Sequence, residues 1–293
     1  MPWFLLATIS ALLSAGAAVL QKKSLLQTRA LPFAFVLSFF IMVFSAVFLA
    51  GVDVLAVPPG VLALLVGKSL IGGTAFLCVM MSLERGQIST VLPLMGLTPA
   101  VTAVLSFLLI GETMAITEWL GLGMMMTGLY LLEWTPDRRG SWVERVRTIL
   151  TERRLIILAL VLFAVSSVAD KMLVSTHRTD PRLVLVYQHV VFCVLFGGML
   201  VIRNVPAGEV VRQTKQQLPL FLVIAVITIA YRYAQLEATR LAPVALVLAV
   251  KRTSILYASL LGGKIFADDR LRVRLLGAGL IVAAGFVILR NVG

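Results

Sequence analysis

The chain has 293 residues, of which 60% are hydrophobic and 14% charged, and its mean hydropathy is +1.00. That composition excludes a water-soluble domain of ordinary make-up and leaves little chain for a large domain outside a bilayer. A formal charge of +12 would point to nucleic acid in a soluble protein; in a bilayer protein it reports on topology instead, and no nucleic-acid partner is expected.

A membrane-crossing helix takes about 20 mostly apolar residues, and ten such stretches follow one another, at 3–22, 32–51, 60–82, 88–110, 115–133, 155–175, 182–202, 217–239, 242–262 and 272–290. The first starts at Trp3 without a basic leader and reads as a retained span. Lys22 stands at its end, where it either lines a pathway or reaches into headgroups. Lys68 interrupts the third span. Its neighbours Gly67 and Ser69 complete a GKS triplet, but Leu62 stands where a phosphate loop needs glycine. Pro93, Gly96 and Pro99 break the fourth span, and freed backbone groups are tolerated there only under cover of protein or a wet cavity, so Pro93 and Pro99 read as a hinge or gate. Residues 135–154 form one longer basic linker. In the second half, Asp170 and Lys171 lie near the end of the sixth span, Gln188 and His189 in the seventh, Tyr231-Arg232-Tyr233 in the eighth and Lys251-Arg252 in the ninth. His189 is either a pH-sensitive gate or a structural histidine. Gly72, Gly73, Gly121, Gly123, Gly277 and Gly279 read as close-packing surfaces, and Trp3, Trp119 and Trp134 as an interfacial belt. Cys78 and Cys193 lie in apolar runs and form neither a disulfide framework nor a thiolate site. No metal-ligand spacing is present, so no metal, cofactor or catalytic group is expected, and the protein reads as no enzyme.

The halves repeat. QKKSLLQTRALP at 21–32 matches DKMLVSTHRTDP at 170–181 at an offset of 149, pairing Lys22 with Lys171, and Leu83-Glu84 matches Leu236-Glu237 at an offset of 153. With five spans per copy, the second copy enters the membrane from the opposite side. The fold class expected is an all-α membrane protein of ten transmembrane helices in two inverted five-helix repeats, 1–134 and 155–293, with a substrate site at their interface. The hairpin LERGQISTVLPLMGLTPAVTAVLSFLLIGE at 83–112 and the glycine-spaced segments that end each half resemble the drug/metabolite transporter superfamily in its ten-helix EamA-like form. GGKIF at 262–266 departs from the Gly-Glu that closes 83–112, and Glu112 reads as a helix-end charge. The Lys251-Arg252 pair is similar to the one with which triose-phosphate and nucleotide-sugar translocators of that superfamily grip substrate phosphate, which implies the same role here. The lysine those translocators carry on helix four has no counterpart.

Most lysines and arginines outside the spans fall in alternate connections, including the linker. Because basic loops stay cytoplasmic, the protein is expected to be a multi-pass inner (plasma) membrane protein with a cytoplasmic linker and both termini outside. A charge at mid-bilayer costs about 2.5–3.5 kcal/mol on insertion scales and is by default functional. Counted from the turn near Leu241, Arg232 and Lys251 lie at similar depth, about 14–15 Å at 1.5 Å per residue, and Lys68 lies about as far from the Pro58-Pro59 turn. The nearest countercharge is Asp170. Surplus positive charge favours phosphate or carboxylate, so Lys251, Arg252 and Arg232, completed by Tyr231, Tyr233 and Lys68, are expected to bind a small organic anion, with Lys22, Lys171, Asp170, His189, Gln188, Pro93 and Pro99 as pathway or gating residues. The expectation is an alternating-access antiporter of phosphorylated anions. An exporter of amino acids or neutral metabolites and a flippase for a lipid-linked phosphate stand as alternatives.

Overall fold

The computed structural model describes residues 2–53, 57–85, 95–133 and 154–254, and beyond them 257, 276–277, 279–281, 283–284 and 287. Among these the regular structure is helical throughout, and six helices are long and apolar enough to cross a membrane. The elements are α1 (Pro2–Leu25), α2 (Ala30–Ala46) with a 3-10 turn Val47–Leu49, α3 (Pro59–Arg85), α4 (Thr98–Ile110), α5 (Ile116–Glu133), α6 (Arg154–Lys171) with a π turn Met172–Thr176, α7 (Pro181–Ile202), α8 (Ala207–Leu241) and α9 (Val244–Arg252). The linker 135–153, Pro93, Trp134 and most of the tenth expected span lie outside the described residues.

Local chemistry sets the helix ends. Asp180 accepts a 2.8 Å hydrogen bond from the Arg182 backbone N–H, and Pro181 opens α7 where no amide donor is needed. Gly111 ends α4 in the left-handed region (φ +62°), and the Glu112 N–H donates 3.2 Å to the Ser106 carbonyl. That conformation is why glycine stands there; it turns Glu112 outward from α4. Pro99 lies in the first turn of α4, after a turn at Gly96-Leu97. It therefore begins that helix, where it is tolerated, rather than kinking its interior.

Two features differ from the sequence reading. The eighth helix starts ten residues early, at Ala207, because a polar segment precedes the apolar run; the two are joined at Gln217 (φ −120°, ψ 17°), just before Pro219, whose ring cannot sit over a continuous helical turn. Trp3 is not interfacial. It is 3% exposed and packs with Ala103, Met125, Ala238 and Ala245 of α4, α5, α8 and α9.

Packing obeys one exchange rule. α1 packs on α8 and α3 on α6; α2 packs on α8 and α7 on α3; α1 packs on α9 and α6 on α4; and α2 packs on α7. Exchanging each helix of the first half with its mate in the second reproduces the pattern. The rings of Phe33 and Phe40 pack against Phe221 at a tilt of 33° where α2 meets α8. Small residues allow the closest approaches: a Cβ on Gly72 would lie 2.9 Å from Ser166 Oγ, and one on Gly73 2.9 Å from Leu195. A Cβ on Gly123 or Gly279, by contrast, would meet nothing within 4 Å. The tight contact in that region is Gly128, whose Cβ would fall 2.6 Å from the Gly277 carbonyl oxygen.

The cap of α7 gives a direct test. Arg182, hydrogen-bonded to Asp180, holds that carboxyl below its ordinary value, against the opposing effect of partial burial. Asp180→Ala is expected to cost about 1 kcal/mol of stability in detergent. Because the folded-state value is depressed, the difference from wild type is complete at neutral pH and narrows as acid protonates the carboxylate below about pH 4. Equal melting temperatures at pH 7 would remove the cap from the account.

Candidate functional site: a buried basic cluster

Six helices bring polar side chains together. Lys68 of α3 is 2% exposed, and its Nζ donates 2.6 Å to Asp170 Oδ1 on α6 and 2.6 Å to Gln188 Oε1 on α7. Arg232 of α8 reaches the same pair: its Nη2 lies 3.2 Å from Asp170 Oδ2 and 3.0 Å from Gln188 Oε1. Its Nη1 donates 3.0 Å to Gln235 Oε1. Lys251 Nζ of α9 donates to that same Gln235 oxygen and lies 4.7 Å from the Tyr231 ring centroid, an arrangement that favours a cation over an aromatic face. Arg252 turns the other way and donates 3.0 Å to Thr98 Oγ1 on α4.

Helix geometry explains who meets whom. Positions three apart share a face, so Arg232 and Gln235 converge. Neighbours stand about 100° apart on a 3.6-residue turn, so Lys251 and Arg252 diverge to different partners. Tyr231 and Tyr233 stand about 200° apart and cannot both face the cluster. Tyr233 accordingly lies 40% exposed on the far side of α8, a correction to its expected place in the pocket.

Asp170 stands within the cluster as a carboxylate shared by two cations, so the expected lack of a central acid does not hold for Lys68 and Arg232. It does hold for α9. Among the described residues, Lys251 and Arg252 donate to an amide, a hydroxyl and an aromatic face, and to no carboxylate. Among the described residues, the carboxylate of the cluster thus meets two of its four basic groups.

Lys22 and Lys171 act on helix ends. Lys22 Nζ donates 2.5 Å to the Leu83 carbonyl near the end of α3, and Lys171 Nζ donates 2.9 Å to each of the Thr239 and Ala242 carbonyls at the end of α8. A cation at a helix C-terminus is favourable to the exposed carbonyls. Lys171 also lies 3.4 Å from Glu112, whose other oxygen accepts from the Val244 N–H at the start of α9. His189 is 4% exposed, edge-on to Phe192 at 5.2 Å, with neither ring nitrogen hydrogen-bonded among the described residues.

Two members of the site, Gln235 and Thr98, were missed by sequence reasoning. The signal for Gln235 was available: it is polar, lies mid-helix and follows Arg232 by three residues. Thr98 carried no such signal, since threonine is common in apolar helices and its partner is 154 positions away.

Beside the cluster, α2, α7 and α8 enclose a crevice of about 610 Å³, lined by Phe44, Phe48, Leu185, Val226 and Ile229, with Arg182 and Tyr233 among its few polar groups.

The fold and site define a polytopic helical membrane protein with a hydrogen-bonded basic cluster inside it. Residues 1–134 match the model of the EamA-like transporter family, and the resemblance to the drug/metabolite transporter superfamily is borne out over that half. A solved structure titled only "Crystal structure of protein" is similar at 19% identity, with a TM-score of 0.69, over 97% of this chain and 95% of that one. That likeness is one of fold. No curated protein matches the chain.

Removing one partner of a buried pair leaves an uncompensated charge and costs about 3–5 kcal/mol, whereas replacing both by apolar groups is often neutral. Asp170→Ala is therefore expected to lower the melting temperature sharply, and Lys68→Met with Asp170→Met to lower it less than the single change. A double variant as unstable as the sum of the two singles would contradict the pairing.

Proposed function

We propose that the protein is a secondary transporter of the drug/metabolite type, built as two inverted repeats (1–134 and 155–293, joined by a cytoplasmic basic linker), that carries a small organic anion by alternating access. Lys251 and Arg252 bind the anion and Arg232 contributes to the same site. Its cargo bears a phosphate or carboxylate.

The observation that carries this reading is the unequal distribution of countercharge. Asp170 is committed to Lys68 and Arg232, whereas among the described residues the two α9 cations are held by Gln235, Thr98 and the Tyr231 ring. Buried charges are ordinarily paired. Two cations satisfied by neutral acceptors leave a positive potential that an anion neutralises, through charge-assisted hydrogen bonds about twice as strong as neutral ones. The exchange rule in the helix packing supports the repeat, and it brings both halves to the cluster: Lys68 and Thr98 from the first, Asp170, Gln188, Arg232, Gln235, Lys251 and Arg252 from the second. Exchange of one anion for another follows from the same charge count, because an empty site carries unneutralised charge that opposes its passage through the bilayer centre.

A second reading has one observation in its favour. The crevice between α2, α7 and α8 is almost wholly apolar and is bordered by exposed Val47, Phe48 and Val226, a surface suited to the tail of a lipid-linked phosphate whose headgroup would use the same cations.

Liposomes loaded with inorganic phosphate are expected to take up external labelled phosphate or glycerol 3-phosphate, and Lys251→Ala or Arg252→Ala to reduce that exchange at least tenfold while the protein still elutes as a folded species. Exchange unaffected by either change removes the site. Uptake confined to phosphorylated lipids, with none of the soluble esters, selects the second reading.

A further inference from the structure

Gln235 holds an unusual position. It is 3% exposed, and its single amide oxygen accepts from two cations on different helices, Arg232 Nη1 of α8 at 3.0 Å and Lys251 Nζ of α9. Gln188 does the same for Lys68 and Arg232, but there Asp170 stands alongside and supplies the negative charge. At Gln235 the described residues supply no carboxylate. An amide oxygen has the right shape for such a fork but no net charge, and a hydrogen bond between two ionised groups is shorter and stronger than one from a cation to a neutral oxygen.

We infer that the Gln235 side chain is a built-in stand-in for the cargo: its oxygen occupies the place that an oxygen of a phosphate or carboxylate takes between Arg232 and Lys251, and the anion binds by displacing it. This inference rests on the anion-carrier reading and adds a determinant of specificity to it. While the site is empty, the amide gives Lys251 a hydrogen-bond acceptor and gives Arg232 Nη1 a partner beyond the Asp170 and Gln188 oxygens that Nη2 meets, sparing the cost of a buried donor left unpaired. When the anion arrives, the amide gives way. Affinity is therefore a difference between two sets of hydrogen bonds, and the group best able to compete is a compact polyvalent head that offers one charged oxygen to both donors.

Changes at position 235 test the idea because they act in opposite directions on stability and on binding. Inorganic phosphate added to the purified full-length protein in detergent is expected to raise the wild-type melting temperature. Gln235→Ala lacks the stand-in, so its melting temperature without phosphate is lower, its phosphate-induced rise larger and its half-saturating phosphate several-fold lower than wild type. Gln235→Glu carries a permanent carboxylate between the same donors, so it melts higher without phosphate and loses the response. A glutamine with a packing role alone would not make the Ala variant bind phosphate more tightly. Half-saturation in Gln235→Ala equal to or above wild type, or an intact phosphate response in Gln235→Glu, overturns the inference while leaving the anion site standing. Should Gln235→Ala fail to fold, the Glu variant alone decides. No phosphate response in any of the three proteins overturns the anion reading and this inference together.

Discussion

One carboxylate holds the centre of this protein together. Asp170 of α6 meets Lys68 of α3 through one oxygen and Arg232 of α8 through the other, so helices from both halves of the chain share a single, almost fully buried countercharge. An isolated ion there would cost several kcal/mol even after relaxation; the pair is tolerable because each partner has a second hydrogen bond, to Gln188 in both cases. The network fixes how α3, α6, α7 and α8 face one another. Structure therefore absorbs two of the four cations, and the two on α9 become the interesting ones.

Lys251 and Arg252 differ from Lys68 in the nature of their acceptors. Neutral oxygens and an aromatic face can hold a cation in place without cancelling its charge, which is the condition for a binding site as opposed to a structural bridge. The same distinction recurs at the helix ends: Lys22 and Lys171 donate to carbonyls at the ends of α3 and α8, where helix dipoles already supply negative charge, so these lysines tie helices together. Identical residue types thus do different work according to what faces them.

Much of the fold was legible because apolar run length is a strong signal: Pro2–Leu25, Pro59–Arg85 and Pro181–Ile202 fall within a few residues of the spans read from sequence. Lys22 and Lys171, which the sequence aligns, both donate to carbonyls near helix ends. The start of α8 was not legible, because residues 207–216 are too polar to register as a span, and they form a helical segment set off from the apolar one by the kink at Gln217. The site was legible as a set of cations and illegible as a set of pairs. Sequence gives depth along each helix but not the direction a side chain takes, so Tyr233 was grouped with Tyr231 although about 200° separates them, and the reach of Asp170 across to α3 and α8 depended on helix neighbours that only the fold defines. Gln235 was passed over because its amide carries no charge, although its place one turn from Arg232 marked it.

The account turns on a negative group binding beside Lys251 and Arg252 in the membrane interior. The most direct measurement is an experimental structure of the protein with tungstate, a heavy analogue of phosphate, located by its anomalous signal. The expected result is a peak in contact with Lys251 and Arg252, with Gln235 turned away from Lys251. A peak found only at surface lysines and arginines, with Gln235 still seated between Arg232 and Lys251 at saturating tungstate, would contradict it.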